Sequence, residues 1–391
     1  MRKMLLAVLL LSFIPNGAFS KSPTMSYSQT VLVSSLAHDS DKLFVGTPYG
    51  LIIIEKHTGK QMVATINSEA ERQVSAMAIQ GDTLWVGGER ATLSYYANGS
   101  IHSFQPLIFL NTSNTSHPHY TPLEDIDFTT VTSITFSPST GKLYGAFCNY
   151  FGEVSETVEC HALKTGVSFL EGDIQDTEAD SFGNIWLYSN CYGSLSLLKY
   201  SEENGLERVL DNYTNDDIDI PSITWTKDHL GGVCMAIDAE DHVWLGSMTG
   251  HLIEYDGESF QVYSPPLAQR QTLSDLAFDE NGILWMLSHN GTLIRFDGKD
   301  FEARQLDMLE GEVVYCMDID GDTIYAGTNK RVIAYSDGTQ ESIELKIASS
   351  VHTVTKSSDA APALHDLQGR RLSGVPERGV YIENGRKRVV R

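Results

Sequence analysis

Basic side chains are scarce in this sequence. Its 391 residues hold 28 Lys and Arg against 51 Asp and Glu, a formal net charge of −23 at pH 7. A nucleic-acid partner needs clustered Lys and Arg to neutralise phosphates, so that class is excluded. Cysteine is scarce as well. Five is an odd number, so the thiols cannot all pair within the chain. A chain this long buries enough surface to fold without disulfides. Cys148 and Cys160 could face each other across a hairpin; nothing assigns Cys191 a partner. Apolar runs of membrane-spanning length are missing from the body, so no transmembrane segment is expected there. Also missing are a glycine-rich phosphate loop, a nucleophile motif and a metal-ligand set at known spacing, so neither cofactor nor metal is expected.

The one apolar run stands at the start, MRKMLLAVLLLSFIPNGAFS. Arg2 and Lys3 precede it, and Ala18 and Ser20 place small residues at −3 and −1 of a cut after residue 20. This pattern predicts a secretory signal peptide over residues 1–20 and an exported protein that is periplasmic, at the cell surface or extracellular. The first cysteine after that cut is Cys148, which argues against a lipidated N-terminus. Charge is uneven along the chain. Residues 365–391 hold seven basic and three acidic side chains, against a strongly acidic body.

What the sequence has in abundance is self-similarity. VWLGSMTGHLIEYDG (243–257) has near-copies in LWVGGERATLSYYANG (84–99), LWMLSHNGTLIRFDG (284–298) and IYAGTNKRVIAYSDG (324–338). Aligned on the aromatic that opens each copy, the set is Phe44, Trp85, Tyr144, Trp186, Trp244, Trp285 and Tyr325. The spacings are 41, 59, 42, 58, 41 and 40 residues, the two long ones holding insertions. Each copy splits into alternating runs separated by Asp-Gly or Asn-Gly turns, the strongest short hairpin signal. Four antiparallel strands repeated seven times predict an all-β, seven-bladed β-propeller over residues 26–348.

Stacking the first strands in register separates large from small side chains. One column reads Leu36, Met77, Ile134, Thr177, Met235, Leu276, Met317. The residue after each reads Ala37, Ala78, Thr135, Glu178, Ala236, Ala277, Asp318, and the residue before reads Ser35, Ala76, Ser133, Asp176, Cys234, Asp275, Cys316. Period two sends these to opposite faces, so the large face of one blade should meet the small face of the next. Cys234 and Cys316 then belong to the core. Asp176, Glu178, Asp275 and Asp318 replace small residues, where an unpaired carboxylate is costly. They line the axial channel, pair with neighbouring groups, or in the Asp176/Glu178 case do acid–base chemistry.

Asp279 to Asp297 and Asp238 to Asp256 resemble the two-component-regulator propeller repeat, D-x-x-G-x-[LI]-W-[VIL]-G-[TS]-x-x-G-L-x-x-[YF]-D. The resemblance spans residues 31–348. It implies a propeller of the kind found in sensor ectodomains of membrane histidine kinases. The first blade, KLFVGTPYGLIIIEKHTGKQ, resembles a quinoprotein repeat, but only one blade does, so no quinone is expected. Residues 349–364, rich in Ser, Thr and Ala, read as a linker. Residues 365–391 resemble a type IX secretion sorting segment, on Asp366, Gly369 and Arg370 and on Gly379, Tyr381 and Lys387. That resemblance implies the secretion machinery as a partner; the alternative is a small β-hairpin segment packed on the propeller.

In a four-stranded blade, the turns joining strands one to two and three to four lie on one face. The two-to-three loops lie on the other, with the connections between blades. The insertions 106–128 and 211–232 are such connections, so that face is expected to be loop-rich and to carry function. The candidate contacts are Tyr49, Arg90, Tyr150, Asn190, Tyr192, His289, Asn290, Lys330 and Arg331, with His119, Tyr120, Tyr213 and Trp225 from the insertions. Aromatics, amides and charged groups around a shallow funnel suit a glycan or a protein or peptide ligand. His117-Pro118-His119 and the acidic run from Asp211 to Asp219 lack metal-site spacing and read as solvated loops. The expectation is an exported, non-enzymatic binding propeller. The alternative is a polysaccharide lyase or glycoside hydrolase on the same scaffold, using His289, Tyr192 or the Asp176/Glu178 pair.

Overall fold

The computed structural model describes residues 32–64, 73–111, 120–122, 130–155, 157–162, 173–191, 194–211, 234–268, 271–346, 364–365, 379–383 and 386–390. Among them none is helical. Seven sheets follow one another along the chain, at 35–64, 74–104, 131–162, 173–211, 234–263, 273–305 and 314–343. In each, four consecutive strands pair antiparallel in chain order, which makes a seven-bladed β-propeller. The inner strand of each blade packs on that of the next, and the seventh packs on the first.

The repeated residues earn their places in the turns. In the fourth, fifth and sixth blades one Asp opens the first turn: Asp180, Asp238 and Asp279. Its Oδ1 accepts main-chain N–H groups two and four residues on, at 2.8–3.1 Å. Its Oδ2 accepts the indole N–H of Trp186, Trp244 or Trp285 at 2.8–3.0 Å. A single carboxylate thereby closes the turn and orients the ring that packs on the next blade. In the second blade Gln80 does the second half of this work for Trp85, at 2.8 Å. The third turn repeats the device, with Asp256 and Asp297 accepting N–H groups two and three residues on. At the opposite end, Ser247, Ser288 and Thr328 hydroxyls accept N–H groups across the two-to-three turn.

The core is seven clusters, one at each interface between blades. Ala37 and Phe44 of the first blade meet Val74, Leu84 and Val86 of the second. Cys234, Ala236 and Trp244 of the fifth meet Leu273, Leu276 and Met286 of the sixth. The expected meeting of small and large columns is therefore what the structure shows, and Cys234 and Cys316 are buried in it. Close approach requires glycine in the second strand. A Cβ on Gly327 would stand 2.5 Å from both Val33 Cγ1 and Cys316 Sγ.

Among the described residues no strand is exchanged to close the ring. The Val33 N–H donates to the Thr328 carbonyl at 2.9 Å, and Cys316, Val332 and Val33 share one apolar cluster. Between the inner strands His38 Nδ1 stands 2.7 Å from Asp318 Oδ2, and Lys56, in the turn after the first blade's third strand, bonds Asp320. The Gln61 side chain accepts from Lys346 N–H and donates to the Glu344 carbonyl, both at 2.9 Å.

The third blade differs from the expectation. Its sheet has six strands, because Leu107–Asn111 of the first insertion pairs parallel with the outer strand Thr157–Ala162, and Tyr120–Pro122 pairs with Leu107–Asn111. Ile108 is 4% exposed beside Val158, so the apolar alternation of this segment covers an edge. The segment was expected to be a loop on the functional face, and its first part is sheet instead. Register also separates Cys148 from Cys160. Phe151 lies opposite His161, so Cys160 faces the next residue along, Gly152. Cys148 sits in the preceding turn, where its sulfur contacts the Thr130 main chain. In the C-terminal segment, Leu364–His365, Gly379–Glu383 and Arg386–Val390 form a three-stranded sheet, with Glu383 opposite Arg386. Residues 1–20, expected as a signal peptide, residues 349–363 of the expected linker, and residues 366–378 lie outside the described residues.

Gly327→Val tests the closing interface. It is expected to destabilise the protein by about 1–3 kcal/mol through overpacking against the first blade. Calorimetry should show a melting temperature lower by several degrees; an unchanged value would mean the interface yields freely.

Candidate functional site

Antiparallel order puts the two-to-three turns of all seven blades on one face. Tyr49 is exposed there on the first blade and Arg90 on the second, Arg90 with φ of 54°. Tyr150 is half-buried against the third-blade core. Asn290 is exposed, its Oδ1 accepting the Ser288 hydroxyl at 2.7 Å. Lys330 bonds the Glu310 carbonyl. Arg331 is 8% exposed and is held by Glu312, through Nε at 2.9 Å and Nη2 at 3.0 Å, by the Asp307 carbonyl and by Ser342. That guanidinium ties the two-to-three turn to the connection between the sixth and seventh blades. Asn190 ends a strand at this face and Tyr120 lies on the added third-blade strand. His119, Tyr192, Tyr213 and Trp225 lie outside the described residues.

The face has a focus at the sixth and seventh blades. The His289 ring meets the Tyr315 ring edge-on, centroids 5.6 Å apart. The His289 main-chain N–H donates to the Thr272 carbonyl, which brings Gln271 to the same corner. Two polar atoms there, His289 Nδ1 and Gln271 Oε1, are buried with no hydrogen-bond partner among the described residues. Burial lowers the histidine pKa below its ordinary value, partly offset by the Val314 main chain, so the ring is neutral near pH 7. Tyr315 and Gln271 are not among the residues that the sequence pattern singled out. Tyr315 is the second residue of a first strand, at a position that holds Ser or Thr in four of the other six blades.

Further along the axis stand the carboxylates. Asp176 Oδ2 accepts the Met235 N–H of the next blade at 2.9 Å, and Asp275 Oδ2 accepts that of Met317 at 2.6 Å. Each also accepts the N–H of the residue after it. These two acids are staples between blades. The Ser133 and Thr135 hydroxyls bond Thr177 in the same way between the third and fourth blades. Among the described residues Glu178 makes no such link between blades. All three acids are half-buried. Among the described residues no group of three or more His, Cys, Asp and Glu is arranged to hold a metal ion.

The opposite face, with its tight turns, carries a feature the sequence did not announce. Between the sixth and seventh blades lies a cleft of about 440 Å³ bordered by Trp285, Arg304 and Tyr335.

No family model matches the chain, and no curated protein does. Solved structures match by shape. An inactive variant of virginiamycin B lyase from Staphylococcus aureus, with quinupristin, is 13% identical with a TM-score of 0.57, over 78% of this chain and 94% of that one. The WD40 propeller domain of Doa1 is 10% identical with a TM-score of 0.54, over 78% and 93%. The extracellular domain of a hybrid two-component system from B. thetaiotaomicron is 16% identical with a TM-score of 0.53, over 79% of this chain and 38% of that one. At such identities the likeness shows the fold alone. This protein is a seven-bladed β-propeller, and among its described residues no helix is long and apolar enough to cross a membrane.

The axial acids make stability depend on pH. Burial raises the Asp275 pKa to about 8, its bond from Met317 N–H pulling it back. Burial likewise raises Asp176 and Glu178, and the charges of Asp176 and Asp275 push Glu178 further. An acid with a raised folded pKa holds its proton longer in the native state, so stability falls as pH climbs from about 4 toward 8. The raised pKa of His38, whose largest cause is the bond to Asp318, acts in the same direction: its contribution is present at low pH and lost as pH rises. Glu178→Gln is expected to raise the melting temperature at pH 8 by the equivalent of about 1–2 kcal/mol and to leave it unchanged near pH 4. A pH-independent difference would exclude this origin.

Proposed function

We propose that this protein is an exported, ligand-binding propeller whose loop-rich face takes a glycan or a peptide. The observation that carries the reading is the corner formed by His289, Tyr315 and Gln271. Buried polar atoms in folded proteins are almost always satisfied. Here two stand without a partner among the described residues, beside an aromatic pair and an exposed amide at Asn290. Hydroxyl and amide groups of a ligand satisfy such atoms, while rings supply flat apolar contact. Export rests on the residue pattern at 1–20, and the type IX resemblance of residues 365–391 supports a sorting role for that segment. An extracellular sensor domain and a lyase share the fold, so shape alone does not separate binding from turnover.

A second reading has its own observation. A neutral imidazole whose Nδ1 has no partner among the described residues becomes a competent general base once that buried atom is uncovered, which would suit a lyase or hydrolase acting on a bound polysaccharide.

One experiment addresses both. Oligosaccharide and peptide arrays, followed by calorimetric titration of the hits, are expected to show binding that His289→Ala and Tyr315→Ala each weaken about tenfold or more. Hits unaffected by either variant would remove this corner from the site. Products released from a bound oligosaccharide, and lost in His289→Ala, would favour the enzyme.

A further inference from the structure

The cleft on the tight-turn face lies where an arginine stands at a position that is aromatic in two other blades. The register that sets Leu93 opposite Phe104 in the second blade, and Leu252 opposite Tyr263 in the fifth, sets Leu293 opposite Arg304 in the sixth. Phe104 and Tyr263 lie against the tryptophan of their own blades, with ring centroids 6.4 Å from Trp85 and 5.7 Å from Trp244. Arg304 offers no ring, and no aromatic packs on Trp285 among the described residues. The interface between the sixth and seventh blades opens outward there, with Trp285 and Tyr335 half-buried along it.

Both walls are charged. The sixth blade contributes both signs, Arg295 and Arg304 with Glu302 and Asp279, and the seventh contributes Asp322 and Asp337. The closest carboxylate to Arg295 is its own neighbour Asp297, at 3.9 Å. Arg304 lies against the seventh-blade turn, 3.1 Å from where a Gly338 Cβ would be. Yet Arg304, Asp322 and Asp337 form no side-chain ion pair or hydrogen bond among the described residues. Glu302 lies across from Arg295 in register. Asp279 is already committed to its turn and to Trp285.

This arrangement selects by charge. A simple anion drawn to the arginines meets Asp322, Asp337 and Glu302. A simple cation drawn to those carboxylates meets two guanidinium groups. A molecule carrying both charges a few ångströms apart satisfies both walls at once. Its apolar part can lie on Trp285 and Tyr335, and a cleft of this size suits a small ligand.

We infer that the cleft binds a zwitterionic α-amino acid or short peptide with free ends, its carboxylate on Arg304, its ammonium on Asp322 and Asp337, and its side chain over Trp285 and Tyr335. This site lies on the other face from the loop corner and does not depend on the function proposed for that corner.

The test uses phenylalanine, leucine and the dipeptide Ala-Phe in free, N-acetylated and C-amidated forms. Binding to the full-length protein is read by calorimetric titration, and Trp285 contributes a fluorescence change. The free forms are expected to bind, and blocking either end to weaken binding about tenfold, the loss of one charge-assisted contact. Arg304→Gln should abolish the discrimination between acid and amide while keeping that between amine and acetamide. Asp337→Asn should do the reverse, and Asn tolerates the left-handed backbone at this position, φ 49°. Melting curves of both variants confirm that they fold. Failure of all free forms to bind up to about 10 mM, or equal binding of free and blocked forms, overturns the inference.

Discussion

Every part of this molecule depends on one constraint: a four-stranded blade has two apolar faces and cannot cover either of them itself. Covering both takes a neighbour on each side, and a neighbour for each neighbour, until the ring closes. The seven interface clusters are that constraint satisfied seven times. Glycine in the second strand brings the sheets close enough, and the aromatic opening that strand fills the space that remains. The Asp before it holds the ring in position through its indole N–H while folding the turn. Local turn chemistry and long-range packing are thus served by one side chain.

Closure of the ring is reinforced by polar links between blades. Asp176 and Asp275 reach main-chain N–H groups of the following blade, and His38 with Asp318 and Lys56 with Asp320 join the seventh to the first. Holding carboxylates in so enclosed a place favours their protonated forms, which makes the ring less stable as the solution becomes alkaline. The acids that looked most like catalytic candidates are thereby explained in large part as staples. Glu178, which makes no contact of that kind among the described residues, is the exception.

The two faces of the ring arise from the same repeat and differ in what they offer. On one, Asx turns recur blade after blade, and a cleft of mixed charge lies between the sixth and seventh blades. On the other, two-to-three turns vary in sequence, and polar atoms at the sixth and seventh blades stand buried beside an aromatic pair. A scaffold that needs its strands for packing leaves only such departures free for recognition.

Fold and blade count were readable in the chain because they rest on period: the spacing of Phe44 through Tyr325, the two-residue alternation and the Asp-Gly turns are all local in sequence. The burial of Cys234 and Cys316 followed from the same register. The proposed site was less readable. His289 and Asn290 stand in a turn whose place the repeat gives. Gln271 comes to His289 through strand pairing within the sixth blade, Tyr315 only across the interface with the seventh, and Arg331, a candidate by position, is spent on Glu312. The segment Leu107–Asn111 looked like loop because its partner strand lies some fifty residues on, and Cys148 fails to face Cys160 because register, not separation along the chain, sets which residues are opposite. Sequence by itself determined what each blade would be, since hydrogen-bonded turns and strand alternation are short-range. Which side chains share a corner, and which are left without partners, only the tertiary structure decided, because those contacts form between blades about forty residues apart or, at the closure, across nearly the whole ring.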